Sequence, residues 1–239
     1  MQSSTAFTKK YLGKLPPGLT ILFILFAGAI ILFTYIMHGV LWTEEVKSDR
    51  QIFSFLAANM ISPATTEFMK AVTYFASATF LKIAYAAVIT IYLFRKDWKR
   101  AVEIGIIGLG GFLVNYLMKN SFHRPRPDNP LIDKLHNFSF PSGHATSAFI
   151  FYGLLAYIIW KIEIPRAYRI IAAFILISFA LLIGFSRVYL RVHYPSDVMA
   201  GFCIGFAWLV FTIFLFEKLK KKSDKEIHPL TEQGTKTQV

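Results

Sequence analysis

The sequence YRIIAAFILISFALLIGFS occupies residues 168–186, and Arg169 is the single charged residue in it. A helix rises about 1.5 Å per residue, so an apolar run of this length covers the roughly 30 Å of hydrocarbon in a bilayer. The chain has five more such runs, and the six predict transmembrane helices at about residues 19–40, 67–94, 101–120, 143–160, 168–186 and 196–216. The predicted fold class is all-α: a polytopic membrane protein with six transmembrane helices.

The composition of the whole chain also favours a membrane protein. Of the 239 residues, 55% are hydrophobic and 17% are charged, whereas about 25% of the residues in a soluble domain are charged. Cys203 is the only cysteine, which excludes an internal disulfide and a multi-cysteine metal site. The run at 19–40 is longer than the core of a signal peptide, so it predicts a retained first helix.

Three regions are expected along the chain. They are a cytoplasmic N-terminal segment at residues 1–18, a six-helix membrane domain at 19–217 and a basic, disordered cytoplasmic tail at 218–239. In the more polar segment between the first two predicted helices, apolar residues recur at near-helical spacing at Ile52, Phe53, Phe55 and Leu56. This spacing predicts a short interfacial helix in the first outer loop.

The net charge of +12 is distributed mainly over short loops beside apolar runs and over the tail. With the N-terminus inside, the cytoplasmic segments hold about twice as many lysines and arginines as the outer ones, which predicts both termini in the cytoplasm of a cell inner or plasma membrane. This distribution favours topology determinants and anionic lipids over nucleic acid as the partner of the charge. Two outer loops, at about 119–142 and 187–195, nevertheless hold six basic residues. A bound anion is the simplest explanation for them.

Three polar clusters lie at the outer ends of the third to sixth predicted helices, so the topology brings them to one side of the membrane. They are KNSFHRPRP at 119–127, PSGH at 141–144 and SRVYLRVHYPSD at 186–197. In the first cluster, Lys119 and two arginines offer a point charge and planar guanidinium groups that suit the oxygens of a phosphoryl group. Such donors stabilise the charge that develops in phosphoryl transfer.

The second cluster predicts an anion site at a helix N-terminus. Ser142 directly precedes an apolar run and is a natural N-cap for the fourth helix. The free amides of Gly143 and His144, together with the helix dipole, would attract an anion there. His144 is also available as a general acid for a leaving alkoxide.

The third cluster predicts a nucleophile with an orienting partner. His193 and Asp197 are four residues apart around Pro195, and proline is typical of the first turn of a helix. If the helix begins near Pro195, Asp197 can bond to one imidazole nitrogen of His193. The other nitrogen would then be free to attack, as in catalytic triads.

Together, the patterns Lys-x6-Arg-Pro at 119–127, Pro-Ser-Gly-His at 141–144 and Ser-Arg-x5-His-x3-Asp at 186–197 resemble the three-part signature of the type 2 phosphatidic acid phosphatase superfamily. The resemblance implies that His193 becomes phosphorylated, that Asp197 orients it, and that His144 protonates the leaving group and then activates water. It implies that the phosphoryl oxygens are held by Lys119, Arg126, Arg187, Ser142 and Gly143. Arg124 lies off the matching position, so the spacing favours Arg126 as the main ligand.

The resemblance implies metal-independent hydrolysis of a lipid phosphate monoester or diphosphate at the extracytoplasmic face, without a cofactor. Undecaprenyl diphosphate, phosphatidylglycerophosphate and phosphatidic acid are the expected substrates. The outer loops also lack the carboxylate cluster of a Mg²⁺ site.

Three alternatives remain. A lipid phosphotransferase would use the same intermediate. A vanadate-dependent haloperoxidase has similar motifs but is soluble, which six predicted spans argue against. A non-catalytic membrane protein that binds anions or lipids would not need the nucleophile and the acid. The sequence does not predict an oligomeric state.

Overall fold

The computed structural model describes residues 17–43 and 47–236. In these ranges the chain is all-helical and has no strand. Its helices are α1 (Pro17–Thr43), α2 (Lys47–Asn59), α3 (Pro63–Tyr74), α4 (Ala78–Phe94), α5 (Trp98–Ser121), α6 (Gly143–Trp160), α7 (Arg166–Tyr189) and α8 (Pro195–Lys236). The predicted all-α class is therefore confirmed for the described residues.

Within the described ranges, five helices are long and apolar enough to cross a membrane, namely α1, α5, α6, α7 and α8. The remaining predicted span, 67–94, corresponds to α3 and α4, which meet at an angle of 42° and would be a sixth span if they are counted as one. The break occurs where the Ser77 hydroxyl caps α4 by accepting a hydrogen bond from the amide of Phe80 at 3.2 Å. The positions of the long helices thus agree with the predicted spans, except that the second predicted span is broken into α3 and α4.

The ends of the chain differ from the expectation in one respect. The sequence predicts a disordered tail from residue 218, whereas α8 continues as helical backbone to Lys236. Of the predicted N-terminal segment, residues 1–16 lie outside the described residues.

Helix α6 is the centre of the bundle and packs against α5, α7 and α8. Two glycines allow α8 to approach α6 closely: a Cβ on Gly201 would lie 2.7 Å from the backbone oxygen of Ser142, and one on Gly205 would lie 2.9 Å from that of Thr146. Small residues at such a crossing let two backbones meet. As a result, the amide of Ser142 donates a hydrogen bond to the carbonyl of Asp197 at 3.0 Å.

Helix α2 forms in the segment for which a short interfacial helix is predicted. Its apolar residues divide between two environments. Phe53 and Leu56 are buried against residues of α6, α7 and α8, whereas Ile52 and Phe55 are exposed. One side of α2 therefore packs on the end of the bundle that holds the polar clusters.

Candidate active site

The segment between α7 and α8 holds His193 in a defined turn. Arg191 adopts a left-handed conformation with φ of 55°, and this ends α7. The amides of Arg191 and Val192 donate hydrogen bonds back to the carbonyls of Val188 and Arg187, at 3.0 and 3.1 Å, which is a Schellman motif. The amide of His193 also reaches the carbonyl of Arg187, at 3.3 Å. The backbone carbonyl of Arg187 thus fixes the start of the loop that holds His193.

The imidazole of His193 lies between a carboxylate and a guanidinium group. Its Nδ1 is 3.4 Å from Oδ2 of Asp197, and both side chains are buried. This distance is too long for a full hydrogen bond. Its Nε2 is 3.2 Å from Nη1 of Arg126. A guanidinium group can only donate, so Nε2 must accept and the ring proton belongs on Nδ1, facing Asp197.

Three cations surround His193. Lys119 at the end of α5, Arg126 in the following loop and Arg187 at the end of α7 all interact with it electrostatically. Burial, followed by these positive charges, holds the pKa of His193 well below its usual value. Burial also lowers the pKa of Arg126 to about 10, so that its guanidinium stays charged at neutral pH. His193 is therefore a buried, neutral imidazole surrounded by positive charges.

Hydrogen bonds from distant segments orient two of the arginines. The Arg126 guanidinium donates to the backbone carbonyl of Val192 at 2.5 Å and to Oδ1 of Asn137 at 2.6 Å. Nη1 of Arg187 donates to Oγ1 of Thr73 on α3 at 2.9 Å. Nε of Arg187 is buried and has no hydrogen-bond partner among the described residues. A buried donor without a partner suits an incoming anion.

The start of α6 completes the arrangement. The Ser142 hydroxyl caps the helix by accepting from the amide of Ala145 at 3.5 Å, as predicted for an N-cap. The side chain of Asn115 on α5 supports the first turn, because its Nδ2 donates to Oγ1 of Thr146 at 3.1 Å. His144 interacts electrostatically with His193, and also with the three cations around it. The structure thus brings the residues of all three clusters to one end of the bundle.

Arg124 has a different environment from Arg126. It is buried, and it donates to Oδ1 of Asp197 at 2.5 Å and to Oδ2 of Asp49 at 3.0 Å. Its guanidinium also lies 3.9 Å from the centre of the Tyr194 ring, a cation–π contact. Arg124 therefore supports the carboxylate behind His193, whereas Arg126 faces Nε2 of His193.

Some residues of the site carry no signal in the sequence. Three of them, Asp49, Thr73 and Asn137, lie outside the three clusters. Each contacts a site residue only because the tertiary fold brings its segment next to a segment that is distant in sequence. Among the described residues, no group of three or more His, Cys, Asp or Glu side chains could hold a metal ion. The charged groups around His193 are mainly cations, and cations of this kind are suited to bind phosphate.

Comparisons with known proteins agree with this arrangement. The sequence profile of the PAP2 superfamily matches residues 100–221. Phosphatidylglycerophosphatase B of Bacillus subtilis (strain 168) is 31% identical over 205 residues, which are 82% of this chain and 98% of that protein. Undecaprenyl-diphosphatase BcrC of the same organism is 32% identical over 145 residues, 57% of this chain and 69% of that protein.

A solved structure shows the same fold. The crystal structure of a transmembrane PAP2-type phosphatidylglycerolphosphate phosphatase from Bacillus subtilis matches with a TM-score of 0.70 and 28% identity, over 82% of this chain and 96% of that one. The chain therefore belongs to the PAP2 superfamily of membrane lipid phosphatases, and the resemblance inferred from the three clusters is confirmed. The profile begins at residue 100, so Asp49 and Thr73 lie outside the part that it matches.

Proposed function

We propose that this protein hydrolyses a lipid phosphate monoester or diphosphate through a phosphohistidine formed on Nε2 of His193. The observation that carries the proposal is the position of this nitrogen, which accepts from Arg126 at 3.2 Å. Asp197 lies on the other side of the ring, 3.4 Å from Nδ1. A neutral imidazole backed by a carboxylate and faced by cations is suited to attack phosphorus.

In the first step, Nε2 attacks the phosphorus atom, the N–P bond forms and the bond from phosphorus to the lipid oxygen breaks. His144 gives a proton to that oxygen as it leaves. The ring of His193 becomes positively charged, and Asp197 stabilises it through the Nδ1 proton. Lys119, Arg126 and Arg187 hold the equatorial oxygens, together with Ser142 and the amide of Gly143.

In the second step, water attacks the phosphohistidine. His144 now takes a proton from the water, the O–P bond forms and the N–P bond breaks, which regenerates His193 and releases inorganic phosphate. No residue role in this cycle requires a metal ion, because the cations of the protein neutralise the phosphoryl charge.

The name of the relative that this chain covers almost completely makes phosphatidylglycerophosphate the first substrate to test. The second relative adds undecaprenyl diphosphate, and phosphatidic acid is the simplest lipid phosphomonoester. The three lipids present the same phosphoryl group, and they differ in the leaving group and in the lipid part.

The test is phosphate release by the purified protein in detergent from these three lipids, with EDTA present and with His193→Ala as the control. We expect release from at least one lipid, and a loss in the variant on the order of 10⁴-fold or more. Activity that survives in His193→Ala, or that EDTA abolishes and Mg²⁺ restores, would contradict the proposal. Transfer of labelled phosphate to a second lipid without free phosphate would identify a phosphotransferase instead.

We further propose a six-span topology in which α3 and α4 form one broken span and α2 lies at the outer interface. Both termini would lie in the cytoplasm, with the site extracytoplasmic. The ends of α5 and α7 and the starts of α6 and α8 hold the site, so all of it belongs to one membrane face, and the bias of basic residues assigns that face to the outside.

Labelling of single cysteines tests this topology. In a Cys203→Ala background, Asp133→Cys in the loop beside the site and Glu163→Cys at the opposite end would each provide one exposed thiol. A membrane-impermeant maleimide should label Asp133→Cys in intact cells and Glu163→Cys only after permeabilisation. The reverse pattern would show that the site faces the cytoplasm.

A further inference from the structure

A fully buried acid lies close to the site but in a segment that none of the three clusters includes. Asp49 is in the first turn of α2 and has no exposed surface. An ionised carboxylate in such a place is costly unless charged and hydrogen-bonding partners compensate for its lost hydration. The partners of Asp49 therefore indicate why the chain keeps an acid there.

Asp49 binds the first turn of α8 from outside that helix. Its Oδ1 accepts a hydrogen bond from the amide of Ser196 at 2.9 Å, and its Oδ2 accepts from the Ser196 hydroxyl at 2.5 Å. The amides of a first helical turn have no partner within the helix. Asp49 thus satisfies one of them and stands one residue away from Asp197.

Asp49 also binds Arg124, through the contact of 3.0 Å between Oδ2 and Nη2. Through its other terminal nitrogen, Nη1, Arg124 donates to Oδ1 of Asp197 at 2.5 Å. The guanidinium therefore lies between two buried carboxylates, and each carboxylate accepts from a different nitrogen.

This division determines how the Asp197 carboxylate is rotated. Its Oδ1 is held by Arg124, whereas its Oδ2 accepts from the amide of Tyr194 at 2.9 Å and faces Nδ1 of His193 at 3.4 Å. A guanidinium group prefers to bind a carboxylate with two parallel hydrogen bonds. Here Nη2 of Arg124 binds Asp49 instead of Asp197. Oδ2 of Asp197 therefore stays available to His193.

We propose that Asp49 is a positioning residue for the reaction: it binds Nη2 of Arg124, so that Arg124 binds Oδ1 of Asp197 through Nη1, and this keeps Asp197 aligned with His193. The inference rests on the proposed function, in which His193 is the nucleophile. Without the charge of Asp49, Arg124 can rotate to engage both oxygens of Asp197. Oδ2 would then turn away from Nδ1. The imidazole ring would no longer be held in the orientation that directs Nε2 at the phosphorus atom.

The kinetic test compares Asp49→Asn with Asp128→Asn, which changes an exposed acid of the loop after α5. We expect kcat of Asp49→Asn to fall about 100-fold, the cost of a misplacement of about 1 Å at a reacting group. KM should change little, because the cations that bind the phosphate are untouched. The control should resemble the unmodified protein. A rise in KM with kcat retained, or an unchanged kcat, would overturn the inference.

A double variant separates positioning from a general loss of packing. If Asp49 acts through Arg124, the double variant Asp49→Asn, Arg124→Gln should be no less active than Arg124→Gln alone. Once Arg124 is replaced, the contact through which Asp49 acts is already lost, so Asp49→Asn should have no further effect. Losses that multiply would mean that Asp49 only anchors α2 and α8, and would contradict the proposed route. Thermal unfolding of each variant shows whether the fold is intact.

A spectroscopic measurement keeps the inference testable even without turnover. In protein labelled with ¹⁵N-histidine, the signals of His193 are identified by their absence in His193→Ala, and their chemical shifts report which nitrogen carries the proton. The other groups around this ring, Lys119, Arg126, His144, Arg187 and Asp197, are the same in Asp49→Asn. We expect the chemical shift of Nδ1 to move in that variant, because the Nδ1 proton loses its approach to Oδ2 of Asp197, and to stay unchanged in Asp128→Asn.

The kinetic and the spectroscopic measurements together distinguish the failure of this inference from the failure of the proposed function. If the unmodified protein releases phosphate, His193→Ala does not, and Asp49→Asn matches the unmodified protein in both kcat and spectrum, only the role of Asp49 is wrong. If no lipid is hydrolysed but the His193 signals respond to Asp49→Asn, the proposed function fails and the positioning contact stands.

Discussion

The two ends of the helix bundle each hold a cluster of charged side chains, and the clusters are built differently. At the site end, Lys119, Arg126 and Arg187 face His193, while the nearby carboxylate of Asp197 is bound by a fourth cation, Arg124. At the opposite end, Glu217 accepts from Lys161 at 2.8 Å and from Tyr157 at 2.5 Å. There Arg100 also lies 3.4 Å from Glu103.

The difference is one of charge balance and burial. Each named cation of the opposite end has a carboxylate beside it, and the side chains of Lys161 and Glu217 are 48% and 34% exposed. Their contact raises the pKa of Lys161 but, as a partly solvated pair, contributes only about 0–1 kcal/mol. Arg187 at the site end is 3% exposed, and the cations there outnumber the acids. A buried excess of positive charge is poorly stable until an anion binds, so the site end is the one suited to phosphate.

His144→Ala should give the largest effect in this comparison. We expect a loss of about 10²- to 10⁴-fold in kcat for a lipid phosphomonoester, because an alkoxide leaves poorly without a proton. A diphosphate has a better leaving group, so its hydrolysis should lose less. Phosphate release from both substrate types measures the difference. Equal losses would argue against His144 as the general acid.

Arg126→Ala removes one cation from the excess at the site and should lower kcat/KM by about 10²- to 10³-fold, the usual cost of losing one donor to a developing oxyanion. The matched control is Arg166→Ala, which removes an exposed arginine at the opposite end and should leave kcat/KM nearly unchanged. Similar losses in the two variants would mean that the arginine acts through overall charge and not through its place in the site.

The pH dependence of kcat/KM tests the effect of the positive charges around His193. The proposed attack requires neutral His193, and its pKa is held well below the usual value by burial and by the neighbouring cations. Activity should therefore persist as the pH falls through about 6.5, where an ordinary histidine would be half protonated. The measurement is a pH profile corrected for the ionisation of the lipid phosphate. An enzyme-derived loss centred near pH 6.5 would contradict it, and Arg126→Ala should move the loss towards that value.

Glu217→Gln should give the smallest effect. The change removes the charge that Lys161 pairs with, yet both side chains are partly solvated, so the stability loss should be at most about 1 kcal/mol. Phosphate release should stay within about two-fold of the unmodified protein, and thermal unfolding in detergent measures the stability change. A large loss of activity would show that the two ends are coupled through the bundle.

The sequence predicted the helices well because membrane spans are long and their apolar runs are unmistakable. It did not predict the break between α3 and α4, since the capping of α4 by Ser77 is a short signal inside an otherwise continuous run. It predicted a short interfacial helix at α2, but it did not predict that Phe53 and Leu56 pack against the bundle. Which side of an amphipathic helix meets protein depends on its neighbours.

Local signals also account for the predicted site residues. The N-cap at Ser142 and the turn from His193 to Asp197 extend over at most five residues. The N-cap forms as predicted, and the turn brings Oδ2 of Asp197 to 3.4 Å from Nδ1 of His193 without a full hydrogen bond. The contacts of Thr73 with Arg187 and of Asn137 with Arg126 could not be predicted, because they join segments whose relative positions no local pattern encodes. The same holds for the distinct environments of Arg124 and Arg126, which are two residues apart.

By itself, the sequence determined a helical membrane protein, the superfamily, and the histidines and cations that meet at one end of the bundle. Those features follow from hydrophobic length and from short-range spacing. Only the tertiary structure decided that Nε2 of His193 faces Arg126, and that Asp49 of α2 binds Arg124 behind Asp197. Such contacts arise when helices distant in sequence exclude water from a shared interior, where each charge must find its partner in space.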